Sequence, residues 1–263
     1  MKMKNFSLLL LSLTLLFISA CSQNIQQMQY VVRWPETYCN KGTTKVVCNQ
    51  IPLKFTLVGF WGTDSNAQIL KNCKDTGEHD WNKVFDTTMV NKLNPFWPSL
   101  TVQDPKDMWK EAWKTYGTCT IQRFKVPTQY FNGAARVAGE IKDLLQDHLI
   151  KSDGIVPCDS AVYKNVEILN SFQRVSNNKE VSFTCTNINS THAYLNQVTF
   201  CRTNDAKHFT NCPTSVINRR CSVENIIIPR PSPPARASSL QTLQRTAEKL
   251  RPNSIWEILR QLI

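Results

Sequence analysis

An apolar leader decides how the ten cysteines of this 263-residue chain are to be read. Met1-Lys2-Met3-Lys4 supplies a positive flank. Leu8 to Ile18 is apolar with Ser and Thr interruptions, and Ser19-Ala20-Cys21-Ser22 supplies small residues for cleavage. The pattern is that of a secretory signal peptide over residues 1–22, cut after Ala20 or after Ser22. Ile18-Ser19-Ala20-Cys21 also has the form of a bacterial lipoprotein box. Both addresses take the chain out of the cytosol, where disulfides persist. The expected location is extracellular, with a vacuole as the alternative, and the cysteines are expected to staple the fold. Eight cysteines admit roughly a hundred pairings, and spacing alone selects none of them.

Between this leader and a distinct tail lie residues 23–228, a length that suits one domain of roughly 200 residues. No internal apolar run approaches the roughly 20 residues that a bilayer crossing needs, so a soluble monomer without stable membrane association is expected. Tyr30-Val31-Val32-Arg33-Trp34 is β-branched and aromatic and stops at Pro35, which predicts a strand. Phe55 to Phe60 predicts a second strand, apolar enough to be central. Trp109 and Trp113, four residues apart behind Asp104-Pro105, predict a helix over Pro105–Tyr116. Val137, Ile141, Leu144, Leu145, His148 and Leu149 share one helical face and predict a long helix over Tyr130–Ile150. Val181–Thr184 and Gln197–Arg202 predict later strands. Strands and helices do not alternate regularly, which predicts an α+β fold with one antiparallel sheet flanked by helices.

Residues 229–263 break the pattern. Pro229-Arg230-Pro231-Ser232-Pro233-Pro234 is a polyproline-prone linker, and Leu240–Leu250 and Ile255–Leu262 are short basic amphipathic stretches. This tail is expected to be disordered and dispensable. The chain carries a formal net charge of +11. Such an excess suits a polyanionic partner such as RNA, and equally a merely soluble basic surface.

Two segments carry more chemistry. They are Phe55-Thr56-Leu57-Val58-Gly59-Phe60-Trp61 and Met108-Trp109-Lys110-Glu111-Ala112-Trp113-Lys114-Thr115-Tyr116-Gly117-Thr118-Cys119. Both resemble the active-site segments of the ribonuclease T2 family, FTIHGLWP and FWxHEWxKHGTC. Arg33-Trp34-Pro35-Glu36-Thr37-Tyr38-Cys39 resembles the family's opening segment. Tyr130-Phe131 through Gly154-Ile155-Val156-Pro157 resembles its long helix and turn, and Gln197-Val198-Thr199-Phe200-Cys201 its late strand. The likeness runs in unbroken order from Met28 to Cys221 and is nearest to the plant S-RNase and S-like branches.

The resemblance implies cleavage of RNA without a metal or other cofactor. The ribose 2′-hydroxyl attacks phosphorus and leaves a 2′,3′-cyclic phosphate, helped by two histidines, a lysine and a glutamate. At those four positions this chain has Val58, Tyr116, Thr115 and Ala112, and Glu111 stands where the second segment of the family has histidine or serine. Valine cannot move a proton, and tyrosine, with an unperturbed pKa of about 10, is a poor base at neutral pH. The implied reading is a secreted pseudoenzyme with a binding, storage or recognition role. Its partners would be RNA, weakly, or a protein reached through surface loops. An active or weakly active endoribonuclease and a pollen–pistil recognition protein are the alternatives. His79, in Glu78-His79-Asp80, is expected to be solvated, and His148 to be packed. The resemblance makes Trp61 a base-stacking candidate, against a plain buried tryptophan. It also implies the pairs Cys39–Cys48, Cys73–Cys119, Cys185–Cys221 and Cys201–Cys212, leaving Cys158 either free or joined to Cys21. Asn189-Ser190-Thr191 is a glycosylation sequon.

Overall fold

The computed structural model describes residues 24–44, 46–75 and 77–232. The expected signal peptide and both amphipathic stretches of the tail lie outside the described residues. Six strands form one sheet in the order β2-β1-β5-β6-β3, with β4 paired to β5. They are β1 (Gln27–Arg33), β2 (Thr56–Thr63), β3 (Tyr163–Lys164), β4 (Ser182–Asn187), β5 (His192–Thr203) and β6 (Asn225–Ile227). The helices are α1 (Trp81–Val84), α2 (Thr87–Leu93), α3 (Pro105–Thr115), α4 (Pro127–Ile141), α5 (Asn165–Val175) and α6 (Thr214–Ile217), with shorter helical turns between them.

β5 holds the sheet together. Val198 pairs with Phe183 of β4 on one side and Val32 of β1 on the other, and Ala193 pairs with Asn187 and with Ile226 of β6. The expected antiparallel sheet is mixed, because β6 runs parallel to β5. The chain reaches β6 by crossing over through α6, so it re-enters beside the start of β5 in the same direction. The strand expected to be central, β2, pairs only with β1 and is an edge. It reads as central because both its faces are packed. Its free edge is covered instead by loops: the Leu57 N–H donates to Phe96 O at 2.7 Å and the Leu70 N–H to Gly62 O at 2.9 Å.

Met28, Tyr30, Val32, Phe60, Val198 and Phe200 project to one face of the sheet and join the main core with α3, α4 and α5. Four indoles, Trp34, Trp97, Trp109 and Trp113, are fully buried. Helix α3 begins where its sequence says it should. Asp104 caps it by accepting from the Lys106 N–H at 2.7 Å, and Pro105 fills the first turn.

The long helix expected over Tyr130–Ile150 is two pieces. α4 ends at Ile141, Lys142 turns with φ 59° and ψ −153°, and a π-helical segment follows over Leu144–Ile150. That backbone region is normally reserved for glycine and costs about 1–3 kcal/mol for another residue. The apolar period continues across the break because Leu144, Leu145 and Leu149 still face the core after the chain has turned.

All four disulfides that the resemblance implies are formed: Cys39–Cys48, Cys73–Cys119, Cys185–Cys221 and Cys201–Cys212. Cys158 is a free thiol. The start of the expected tail is docked. The Trp34 indole donates to Pro229 O at 2.8 Å. The buried Glu36 carboxylate accepts from the Ser232 N–H at 2.9 Å and from its hydroxyl at 3.0 Å. No helix among the described residues is long and apolar enough to cross a membrane.

Candidate functional site

Strand β2 and helix α3 meet at an open cleft. α3 turns Trp109 and Trp113 inward, where the Trp109 indole donates to Trp97 O at 3.0 Å and that of Trp113 to Asp75 Oδ2 at 3.0 Å. Its outer face therefore carries Glu111 and Thr115, Ala112 lies half-buried at the margin of the core, and Tyr116 is the C-cap. Val58 of β2 stands across from them. A cavity of about 230 Å³ is lined by Val58, Glu111, Ala112, Thr115 and Tyr116 together with Gln103 and others. All five positions singled out from sequence are thus brought to one site.

Two glycines shape the frame. A Cβ on Gly59 would lie 2.2 Å from the Trp61 ring, and one on Gly117 would lie 2.3 Å from the Trp113 ring. Neither ring has room to retreat, since Trp61 is 8% exposed and Trp113 is fully buried. The rings of Trp61 and Tyr116 pack at 5.1 Å, and the Trp61 indole donates to Gln29 Oε1 at 3.0 Å. Trp61 therefore offers little free ring to a base.

Inside the cavity, Glu111 and Tyr116 are the titratable side chains, and Glu111 accepts from the Thr115 hydroxyl at 3.1 Å. A second cavity of about 230 Å³ adjoins it, sharing Val58 and Gln103 and adding Arg33, Tyr38, Thr56, Ser99 and Thr101. Here the Arg33 guanidinium sits 4.1 Å over the Tyr38 ring. Burial lowers its pKa, Tyr38 opposes that effect, and no carboxylate lies in ion-pair range of it among the described residues. The Thr56 hydroxyl beside it is buried without a hydrogen-bond partner.

None of the four histidines lines either cavity. His79, expected to be solvated, is packed. Its Nε2 lies 3.1 Å from both Asp75 oxygens, its side chain is 13% exposed, and its ring meets Trp81 and Trp113 edge-on. The polar letters around it hid a fold-back onto α3, held by the Trp113–Asp75 bond, the Asn72 N–H donating to Thr115 O and the Cys73–Cys119 disulfide. His148 lies 3.2 Å from Ile141 O and His192 2.9 Å from the Thr191 hydroxyl. No cluster suited to a metal ion occurs among the described residues. Asn189 sits exposed in the turn between β4 and β5, where its Oδ1 accepts from the N–H groups of Thr191 and His192. Arg33 and Thr56 were not legible as site residues. Thr56 stands two residues before Val58 inside the first motif, and the pairing of β1 with β2 sets Arg33 opposite Thr56.

Residues 25–212 match the model of the ribonuclease T2 family. The chain belongs to this family. Among its T2-family relatives, it is 28% identical to Ribonuclease S-1 of Pyrus pyrifolia over 204 residues, covering 77% of this chain and 86% of the relative. It is 24% identical to Ribonuclease 3 of Arabidopsis thaliana over 216 residues, covering 79% and 92%. The self-incompatibility-associated SF11-RNase of Nicotiana alata superposes with a TM-score of 0.62 at 23% identity, covering 79% of this chain and all of that one. Human RNase T2 does so with a TM-score of 0.62 at 20% identity, covering 78% and 99%. At these identities the superpositions establish a shared T2 fold.

Proposed function

We propose that this T2-family protein is a secreted, non-catalytic scaffold that holds RNA in its cleft without cleaving it. The observation that carries this reading is the lining of the β2–α3 cavity. Transphosphorylation needs one group to take the 2′-hydroxyl proton, another to protonate the leaving 5′-oxygen, and positive charge beside the phosphorane. Val58 and Ala112 can do none of these. Glu111 places negative charge where the phosphate would sit, and Tyr116 has its ring against Trp61.

Binding is a separate matter. Arg33, without a carboxylate partner, leaves positive charge in the adjoining cavity beside the polar side chains of Thr101 and Gln103. That combination suits a phosphate, since a guanidinium matches its oxygens well. A protein of the same fold, a point mutant of RNase MC1, has been crystallised in complex with 5′-UMP. Four disulfides fit an oxidising destination, and with the leader they support secretion.

The test pairs cleavage with binding. Purified protein should leave a fluorogenic RNA intact between pH 4 and 8, yet bind an RNA oligonucleotide by anisotropy, with Arg33→Ala weakening that binding several-fold. Turnover yielding 2′,3′-cyclic phosphate ends refutes the reading. The likeness to Ribonuclease S-1 favours a second reading, a recognition protein acting through surface loops. Expression confined to pistil tissue, with no RNA affinity, would select it.

A further inference from the structure

Away from the cleft, a cavity of about 340 Å³ opens between the sheet and helix α4. That volume lies in the range of small-molecule sites. Its floor is apolar, made by Tyr30, Phe55 and Leu57 among others, while three lysines, Lys54, Lys92 and Lys142, reach it from separate elements. The one acid on its lining, Asp143, already accepts from the Gln146 N–H at 3.0 Å as a helix cap. The balance of charge at the site is therefore positive.

Three features of the lining have no account within the protein itself. Gly139 is a glycine inside a helix, where it costs stability, yet a Cβ there would meet nothing within 4 Å. Packing within the chain does not require it, but an occupant would. Lys142 holds a backbone conformation that glycine takes easily and lysine does not. Such strain persists at ligand clamps, where the side chain is worth more than the relaxed backbone. Tyr30, 2% exposed, lines the floor, and burial alone raises the pKa of its hydroxyl.

We propose that this cavity binds a small amphiphilic carboxylate, with its apolar body between β1, β2 and α4 and its head among Lys54, Lys142 and the Tyr30 hydroxyl. Lys92 contributes charge rather than a direct bond, since its ammonium donates to Asn132 Oδ1 at 2.7 Å. The wall of α4 facing the site is built from Ala135, Ala138 and Gly139, which leave the width that an alkyl chain needs. This site is separate from the RNA cleft and does not depend on the reading given for it.

Decanoate, titrated calorimetrically into the full-length mature protein, is the probe, with decyltrimethylammonium as the charge-inverted control. Saturable one-site binding of decanoate, at least ten-fold tighter than that of the cation, is expected. Lys142→Gly removes one charge and frees the backbone, so it should weaken binding at least five-fold while leaving the melting temperature equal or higher. Gly139→Leu should abolish binding by filling the space, with circular dichroism unchanged. The paired readout separates ligand loss from misfolding, because Lys142→Gly relaxes the fold. Absence of saturable decanoate binding overturns the proposal. So does equal affinity for the cation, or parent-like binding by Lys142→Gly.

Discussion

The indole of Trp113 donates to Asp75 Oδ2 at 3.0 Å, tying the outer loop after β2 to the buried face of α3 across 38 residues. Burial of Asp75 alone would raise its pKa. The hydrogen bonds from Trp113, from the Gly77 N–H and from His79 outweigh it and hold the carboxyl below the ordinary aspartate value.

The sign of the pH dependence follows from that depression. A carboxylate with a lowered folded pKa adds stability above its unfolded value of about 3.9, and loses it as pH falls through the folded pKa. Asp75→Asn should therefore lower the melting temperature at neutral pH by about 2–6 °C, on a loss of about 1–2 kcal/mol. The gap between variant and parent should close as pH falls through the folded pKa of Asp75. A constant gap from pH 7 to pH 2, by calorimetry, would show that Asp75 acts only by shape.

On the non-catalytic reading proposed above, the change at the β2–α3 cavity is local and should be reversible. Val58→His and Tyr116→His would restore an acid and a base, Thr115→Lys a cation, and Ala112→Glu with Glu111→His the rest of the motif. Acid and base act as a unit, so no single reversion should give turnover. The five-site variant should cleave a fluorogenic RNA, about 10²-fold below active relatives if small misplacements remain. A folded five-site variant that binds RNA and cleaves no faster than the parent would show that the cleft has been rebuilt rather than disarmed.

The four residues after Ile228 should matter although the rest of the tail need not. A chain ending at Ile228 leaves the Trp34 N–H without Pro229 O and the buried Glu36 carboxylate without Ser232. Stranding those groups costs about 2–4 kcal/mol, or about 5–15 °C in melting temperature for a domain of this size. Ending at Ser232 should cost none of it. Equal melting curves for the two truncations would show that these contacts carry no stability.

Cys158, the free cysteine among the described residues, should react as an activated thiol. Its Sγ lies 3.2 Å from the Ser160 hydroxyl, and that bond, followed by the N–H groups of Ser160 and Ala161, lowers its pKa. Alkylation at neutral pH followed by peptide mapping should find Cys158 labelled, and a Cys158 found in a disulfide would contradict the free thiol.

The two motifs made the cleft legible because they are local. Trp109 and Trp113 set the rotation of α3, and that rotation alone turns Glu111 and Thr115 to the other side. Lys142 was not legible. The leucines after it keep the helical period, and no glycine or proline marks the turn. β6 escaped notice because three residues carry too little pattern, and its direction depends on a crossover from elsewhere. The amphiphile cavity joins lysines from three distant segments, so no window of sequence contains it.

Gly59 and Gly117 lie beneath tryptophan rings, where an added methyl group has nowhere to go. That crowding belongs to the frame and is indifferent to what Val58 or Tyr116 can do. A lineage can therefore discard the reaction and keep the letters that announce it. Kinship read from such letters dates the architecture and leaves the question of activity to the few outward side chains that packing never polices.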